Sequence, residues 1–110
     1  MLNQIVICGR IASFADKKCE GKEVKEIVIA VPRSYKNENG EYDTDFIPFV
    51  LTGMIAENTL EYCKVGDIVG IKGGVRTFEA KDGSHPFYLQ AEKISFLSSG
   101  KSSSSDEEEE

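Results

Sequence analysis

Along most of this chain apolar and polar residues alternate at a period of two, and only one stretch keeps a helical period. The opening LNQIVICGRIASF sets Ile5 and Ile7 on one face and Val6 and Cys8 on the other, with Gly9 in the middle. That pattern predicts a strand buried on both sides and bent, or closely approached, at the glycine. Past the polar stretch ADKKCEGKE, residues 24–31 (VKEIVIAV) form a second β-branched run, and Pro32 ends it or puts its end at a sheet edge. Asn39-Gly40, within YKNENGEYDTD, is a hairpin turn signal, and a third strand, FIPFVLTG, begins at Phe46.

Residues 54–63, MIAENTLEYC, break the alternation. Ile55, Thr59, Leu60 and Cys63 recur at helical spacing, and Lys64 to Gly66 supply a basic end and a glycine stop. Two further strands, DIVGIKGGVRTF and HPFYLQAEKISFL, flank the turn signal Asp82-Gly83. Five short strands with one helix between the third and fourth is the order of the all-β OB-fold, a small Greek-key barrel, although other five-stranded arrangements share the bare pattern. Glycines at 9, 53, 66, 70, 73 and 74 suit the sharp strand bends that so small a barrel needs.

Composition sets the organisation. A chain of 110 residues with 40% hydrophobic positions fits one compact domain, residues 1–97. Residues 98–110 are Ser-rich and end in Asp106 to Glu110, a block of like charge that predicts a disordered acidic tail. The tail accounts for most of the net charge of −6: it holds Lys101 against five carboxylates, which leaves 12 cations against 14 acids in residues 1–97. A nearly balanced body requires any nucleic-acid site to be a local basic face. No apolar run reaches the length of a membrane span and Met1-Leu2-Asn3-Gln4 lacks the basic start of a secretory signal, so a cytoplasmic protein is expected. Cys8, Cys19 and Cys63 are odd in number, far apart and without a C-x-x-C pair, which argues against a disulfide framework and a zinc site.

The constellations of catalysis are missing. His85 is the sole histidine, sits before Pro86 in a turn, and has no nucleophile at a recognisable spacing. Phosphate-loop and nucleophile-elbow motifs are absent, so a non-enzymatic protein without cofactor or metal is expected. The rings carry more information. Arg33-Ser34-Tyr35-Lys36 and Arg76-Thr77-Phe78 set cations beside aromatics, and Phe46, Phe87 and Tyr88 lie in or beside predicted strands. Single-stranded nucleic acid asks for this mixture, because any base stacks on a ring while Lys and Arg follow the phosphates. Phe49 and Phe96, flanked by apolar residues, are expected in the core, whereas Tyr35 falls in a polar loop. Arg76, Phe78 and Ala80 share a strand face if the strand runs that far; Lys72 shares it too unless Gly73-Gly74 inserts a bulge.

NQIVICGRI, TDFIPFVLTGMIAEN and KVGDIVGIKGGVRT resemble, in that order, blocks of the bacterial and phage single-stranded DNA-binding proteins, an OB-fold followed by a flexible acidic tail. The resemblance covers residues 3–97. It implies sequence-independent binding and protection of single-stranded DNA in replication, recombination and repair, at the nucleoid, by a homotetramer or dimer of dimers. It matches Tyr35 and Phe46 to stacking aromatics, and Arg10, Arg33, Lys72 and Arg76 to positions that contact the DNA backbone. Lys36 and Tyr88, beside these, complete the expected DNA-binding set with Phe78. The chain departs from the family where Phe78 and Ala80 replace an Arg followed two residues later by an aromatic, and where Thr52 replaces a ring. Family tails close on Pro-Phe and use that aromatic to engage replication and repair proteins; here the acids run to Glu110, which implies partner contacts without that anchor. The reading from another class is an OB-fold adaptor that binds proteins in a primosome or replication complex.

Overall fold

The computed structural model describes residues 1–19 and 21–99. Five strands, β1 (Ile5–Cys19), β2 (Lys22–Lys36), β3 (Tyr42–Leu51), β4 (Ile68–Thr77) and β5 (Phe87–Ser98), and one helix, α1 (Gly53–Tyr62), follow the expected order. They close into a barrel in the spatial order β1-β2-β3-β5-β4, which with the helix between β3 and β4 is the OB-fold. The expected acidic tail lies, beyond Ser99, outside the described residues.

β1 serves two neighbours in turn. Ile5 to Arg10 pair with β4, and from Arg10 onward the strand pairs with β2. The changeover is at Gly9, where a Cβ would stand 2.6 Å from the Ala30 carbonyl oxygen, so the strands cross where only glycine fits. The core inside is apolar: Ile11, Ile27, Ile29, Phe49, Val69 and Ile71 are all sealed from solvent. Burying a side chain such as Phe49 stabilises the fold by about 1.5–3 kcal/mol.

The last seam is thin. β3 and β5 run parallel and share one backbone pairing, Val50 with Gln90. The Gln90 side chain reinforces it by donating from Nε2 to the Val50 carbonyl at 3.4 Å and to Thr52 Oγ1 at 3.2 Å. Thr52 precedes α1 in extended conformation and its side chain makes no capping bond, so its hydroxyl serves the barrel closure and not the helix.

Several expectations need correction. The first strand is buried on one side only: Val6 is 65% exposed and Cys8 is exposed, because residues alternating with Ile5 and Ile7 point out of the barrel. The polar stretch after Phe14 is not a connection but a ladder, Ala15 with Glu26 through Cys19 with Lys22, steadied by the ion pairs Lys17–Glu26 and Lys25–Asp16. β2 runs past Pro32 to Lys36, so Tyr35 belongs to a strand, and β3 begins at Tyr42, ahead of Phe46. Pro32 faces Thr44 where β2 no longer pairs with β1, an edge at which its missing N–H costs nothing. Phe96, expected in the core, is 54% exposed near the end of β5, opposite Val69. The helix forms one residue early, with Thr59 and Cys63 buried but Leu60 turned outward.

The bulge near the glycine pair falls on the other strand. Lys72 pairs with Lys93 and Gly73 with Ala91, which leaves Glu92 as the extra residue in β5. The alternation of β4 therefore continues, and Lys72 and Arg76 keep the outer face. Gly73 is compelled by contact, since a Cβ there would collide with the Gln90 backbone at the barrel seam.

Candidate nucleic-acid interface

Aromatic rings stand along two hairpin arms: Tyr35, Tyr42, Phe46 and Phe87 are exposed, and Phe78 and Tyr88 are half-buried. In the first, β2–β3, Asn37 builds the turn: its Oδ1 accepts from the Asn39 and Glu41 amides at 2.8 and 3.0 Å, its Nδ2 donates to Asp43 at 3.1 Å, and Gly40 takes φ +79°. Phe46 pairs with Ala30, and Ala30 with Arg10, so one row across β3, β2 and β1 carries an aromatic, a small residue and a guanidinium on the same face. Phe46 is 63% exposed. Arg10 donates from Nη1 to the Gly66 carbonyl at 2.8 Å, which fixes the side chain without neutralising it. Farther out, Lys36 pairs with Tyr42 and lies 5.9 Å from the centre of its ring, a cation over an aromatic face.

Arg33 is held differently. Its Nε and Nη2 donate to the two carboxylate oxygens of Asp45 at 3.1 and 3.0 Å, and Asp43 lies 3.8 Å from Nη1. The hydrogen bond to Asp45, then its charge, raise the guanidinium above its ordinary pKa, with a further contribution from Tyr35. The same hydrogen bond holds the Asp45 carboxyl below the usual carboxylate range. A bidentate carboxylate occupies the geometry that a phosphate would use. Tyr35, two residues on, is as exposed as Phe46.

In the second arm, β4–β5, Arg76 pairs with Tyr88, and the Phe78 ring leans against Tyr88 with centroids 6.3 Å apart and planes at 43°. The Phe78 amide donates to the Pro86 carbonyl at 3.2 Å, so the ladder reaches Phe78 although β4 ends at Thr77. Arg76 has a carboxylate nearby, Glu92 at 3.6 Å. The turn forms as the Asp82-Gly83 signal predicts: Gly83 takes φ +87° and Asp82 Oδ1 accepts from the Ser84 amide at 2.9 Å. A cleft of about 530 Å³ separates Phe78 to Lys81 from Gly21 at the tip of the β1–β2 hairpin.

Lys72 lies apart from both arms, opposite Val6 on β1 and Lys93 on β5. Two ammonium groups directly across a ladder repel, and neither has an ion pair with a carboxylate among the described residues. The structure thus brings Arg33 with Tyr35, Lys36 with Tyr42, and Arg76, Phe78 and Tyr88 together, sets Arg10 in line with Phe46, and leaves Lys72 separate. Sequence reasoning left Tyr42 out of the binding set and missed Lys93 and the acids on Arg33 and Arg76. Tyr42 shares a strand face with Phe46 at four residues' spacing, a signal hidden by starting the strand too late. Lys93 and the acids become neighbours only through register.

A second cleft, about 660 Å³, runs between the β1–β2 hairpin and the start of α1, lined by Lys17, Lys18 and Lys25 among others. Among the described residues no group of three or more His, Cys, Asp or Glu side chains could hold a metal ion, and no helix is long and apolar enough to cross a membrane.

Known proteins bear on the fold and the family. Residues 2–97 match the model of the single-strand binding protein family. The chain is 32% identical over 103 residues to single-stranded DNA-binding protein B of Bacillus subtilis, covering 88% of this chain and 91% of that one. It is 35% identical over 107 residues to single-stranded DNA-binding protein 1 of Clostridium acetobutylicum, covering 91% and 97%. Among solved structures, a Plasmodium falciparum SSB complex with ssDNA shares the fold with a TM-score of 0.62 at 20% identity, covering 88% of this chain and 96% of that one. From the barrel, the ring-bearing arms and a match running through nearly the whole described chain, it follows that this chain belongs to the single-strand binding protein family.

Proposed function

We propose that the protein binds single-stranded DNA without sequence preference and shields it during replication, recombination and repair. The observation that carries this reading is the placing of rings beside cations on the two arms: Tyr35, Tyr42 and Phe46 stand exposed on one, and the half-buried pair Phe78 and Tyr88 lies beside exposed Arg76 on the other. Bases stack on these rings, each worth about 1–3 kcal/mol, while Arg10, Lys36, Lys72 and Arg76 follow the phosphates. Arg33 joins them once Asp45 releases it. The protein acts in the cytoplasm, at the nucleoid.

The working form is a homotetramer. β1 from Ile5 to Cys8 pairs on one side only, with β4, and Val6 and Cys8 stand exposed along it. Such an edge is covered when two copies pair. Light scattering at micromolar concentration is expected to give the tetramer, and a monomer would refute this assembly. The acidic tail offers replication and repair proteins a charged contact.

The binding test is a titration of the protein into fluorescent oligo-dT of about 35 nucleotides, with hairpin RNA as competitor. Binding below micromolar concentration at low salt, weakened linearly in log salt, is the expected result. No binding under those conditions overturns the reading and favours the protein-binding adaptor.

A further inference from the structure

Beyond Ile5 the pairing of β1 with β4 does not stop; it changes its means. The register Ile5 with Gly73, carried two places on, sets Asn3 opposite Val75, and there a side chain takes over from backbone. Asn3 Nδ2 donates to the Val75 carbonyl at 2.8 Å, and the Val75 amide donates back to Asn3 Oδ1 at 2.8 Å. One primary amide thus imitates both halves of a ladder rung. The chain passes close enough for this because residue 74 is glycine: a Cβ there would meet the Asn3 carbonyl oxygen and Oδ1 at 3.2 Å each.

Val75 is the residue before Arg76. On its other side β4 pairs with β5, Val75 with Leu89 and Arg76 with Tyr88, and the Phe78 ring rests against Tyr88. The Asn3 rung is therefore the last attachment of β4 to the β1 side of the barrel before the arm leaves it. Past this point the arm is held as a two-stranded ribbon, and an isolated ribbon is marginally stable in water. We propose that Asn3 is a positioning residue: it fixes the root of the β4–β5 arm and so presents Arg76 and the Phe78–Tyr88 ring pair to single-stranded DNA in one orientation. The proposal rests on the binding function above. Asn3 touches no ligand itself and acts through the arm.

The test is a double-mutant cycle on oligo-dT binding with the full chain: wild type, Asn3→Ala, Phe78→Ala and the pair, alongside amide hydrogen exchange. Asn3→Ala is expected to weaken binding about 3- to 10-fold, and to speed exchange at residues 75–78 and 87–90 while leaving residues 42–46 of the other arm unchanged. Because Asn3 acts in part through the Phe78 ring, Asn3→Ala is expected to cost less affinity in the Phe78→Ala background than in the wild type, so that the double variant binds more tightly than the product of the two single losses. Losses that multiply, or an Asn3→Ala protein that binds like wild type, overturn the proposal. Should Asn3→Ala fail to fold, Asn3→Asp enters the same cycle; it keeps the acceptor for the Val75 amide, loses the donor, and is read by the same coupling. A wild-type protein that ignores oligo-dT is a separate failure, of the binding function and not of the arm's attachment.

Discussion

Replacing Asp45 by Asn should strengthen DNA binding and steepen its salt dependence. Asp45 accepts two hydrogen bonds from Arg33, at 3.1 and 3.0 Å, and the asparagine keeps the shape of the carboxylate while giving up its charge. The asparagine can accept only one of those bonds, and the opposite charge left beside Arg33 is Asp43 at 3.8 Å, beyond hydrogen-bond reach. A guanidinium released from a bidentate carboxylate is available to one phosphate, and each phosphate contact on a single strand steepens the log affinity against log salt slope by about 0.7. Over a fourfold change from about 50 to about 200 mM salt, the advantage of the variant should shrink by roughly 2.6-fold. Oligo-dT titrations at four or five salt concentrations measure the slope, and thermal melts show whether the arm survives. An unchanged slope, or weaker binding with an intact melt, would refute the reasoning and make the ion pair a brace that the bound strand needs. Acid does not imitate the mutation in the ordinary working range. The Arg33 hydrogen bond holds the Asp45 carboxyl below its usual value, so the pair persists above that value and is lost only as pH falls through the depressed one. Between about pH 5 and 8 wild-type binding should carry no contribution from Asp45 titration.

Tyr35→Ala and Phe46→Ala should each cost about 1–3 kcal/mol in oligo-dT affinity with little change in melting temperature, whereas Phe49→Ala should cost about 3–5 kcal/mol of stability in urea unfolding. Reversal of the two patterns would exchange interface for core. Iodoacetamide at neutral pH should spare Cys63 in the native protein, because its thiol is pushed up by burial and then by the Asp67 charge, and alkylate it once urea unfolds the barrel; mass spectrometry reads the difference, and labelling of Cys63 in the native protein would contradict the burial. Removing residues 100–110 should raise oligo-dT affinity, most at low salt, because the tether keeps five carboxylates near the basic groups. Equal affinities of cut and full chains at low salt would make the tail a bystander in DNA binding.

The barrel was legible in the sequence because its cause is local. Alternation in residues 24–31, the single helical stretch, and the glycine turns at 40 and 83 each state an element, and their order narrows the topology to the few five-stranded arrangements among which the OB-fold stands. Strand ends were less legible. The ladder of residues 15–19 with 22–26 is polar on both faces, so no hydrophobic pattern marks it; ion pairs and backbone bonds hold it instead. Phe96 misled because its apolar neighbours suggested burial, while its place near a strand end decided otherwise. At the candidate interface, ring-plus-cation stretches could be read directly, since they join near neighbours in sequence. The carboxylates on Arg33 and Arg76, and the meeting of Lys72 with Lys93, depend on register and on a bulge at Glu92, which alternation alone does not encode.

Pro32 bears on how this protein stays in solution. Past Ala30 the β2 strand has lost its β1 neighbour, and the ribbon it forms with β3 projects with an open flank. An open strand flank invites another chain to add a strand, and a crowded solution of freshly made copies offers many such chains. Proline removes a donor from that flank, so an incoming strand meets a gap in the hydrogen-bond register just where the ribbon leaves the barrel. The arm can thus remain bare for a passing ligand without seeding aggregates between molecules.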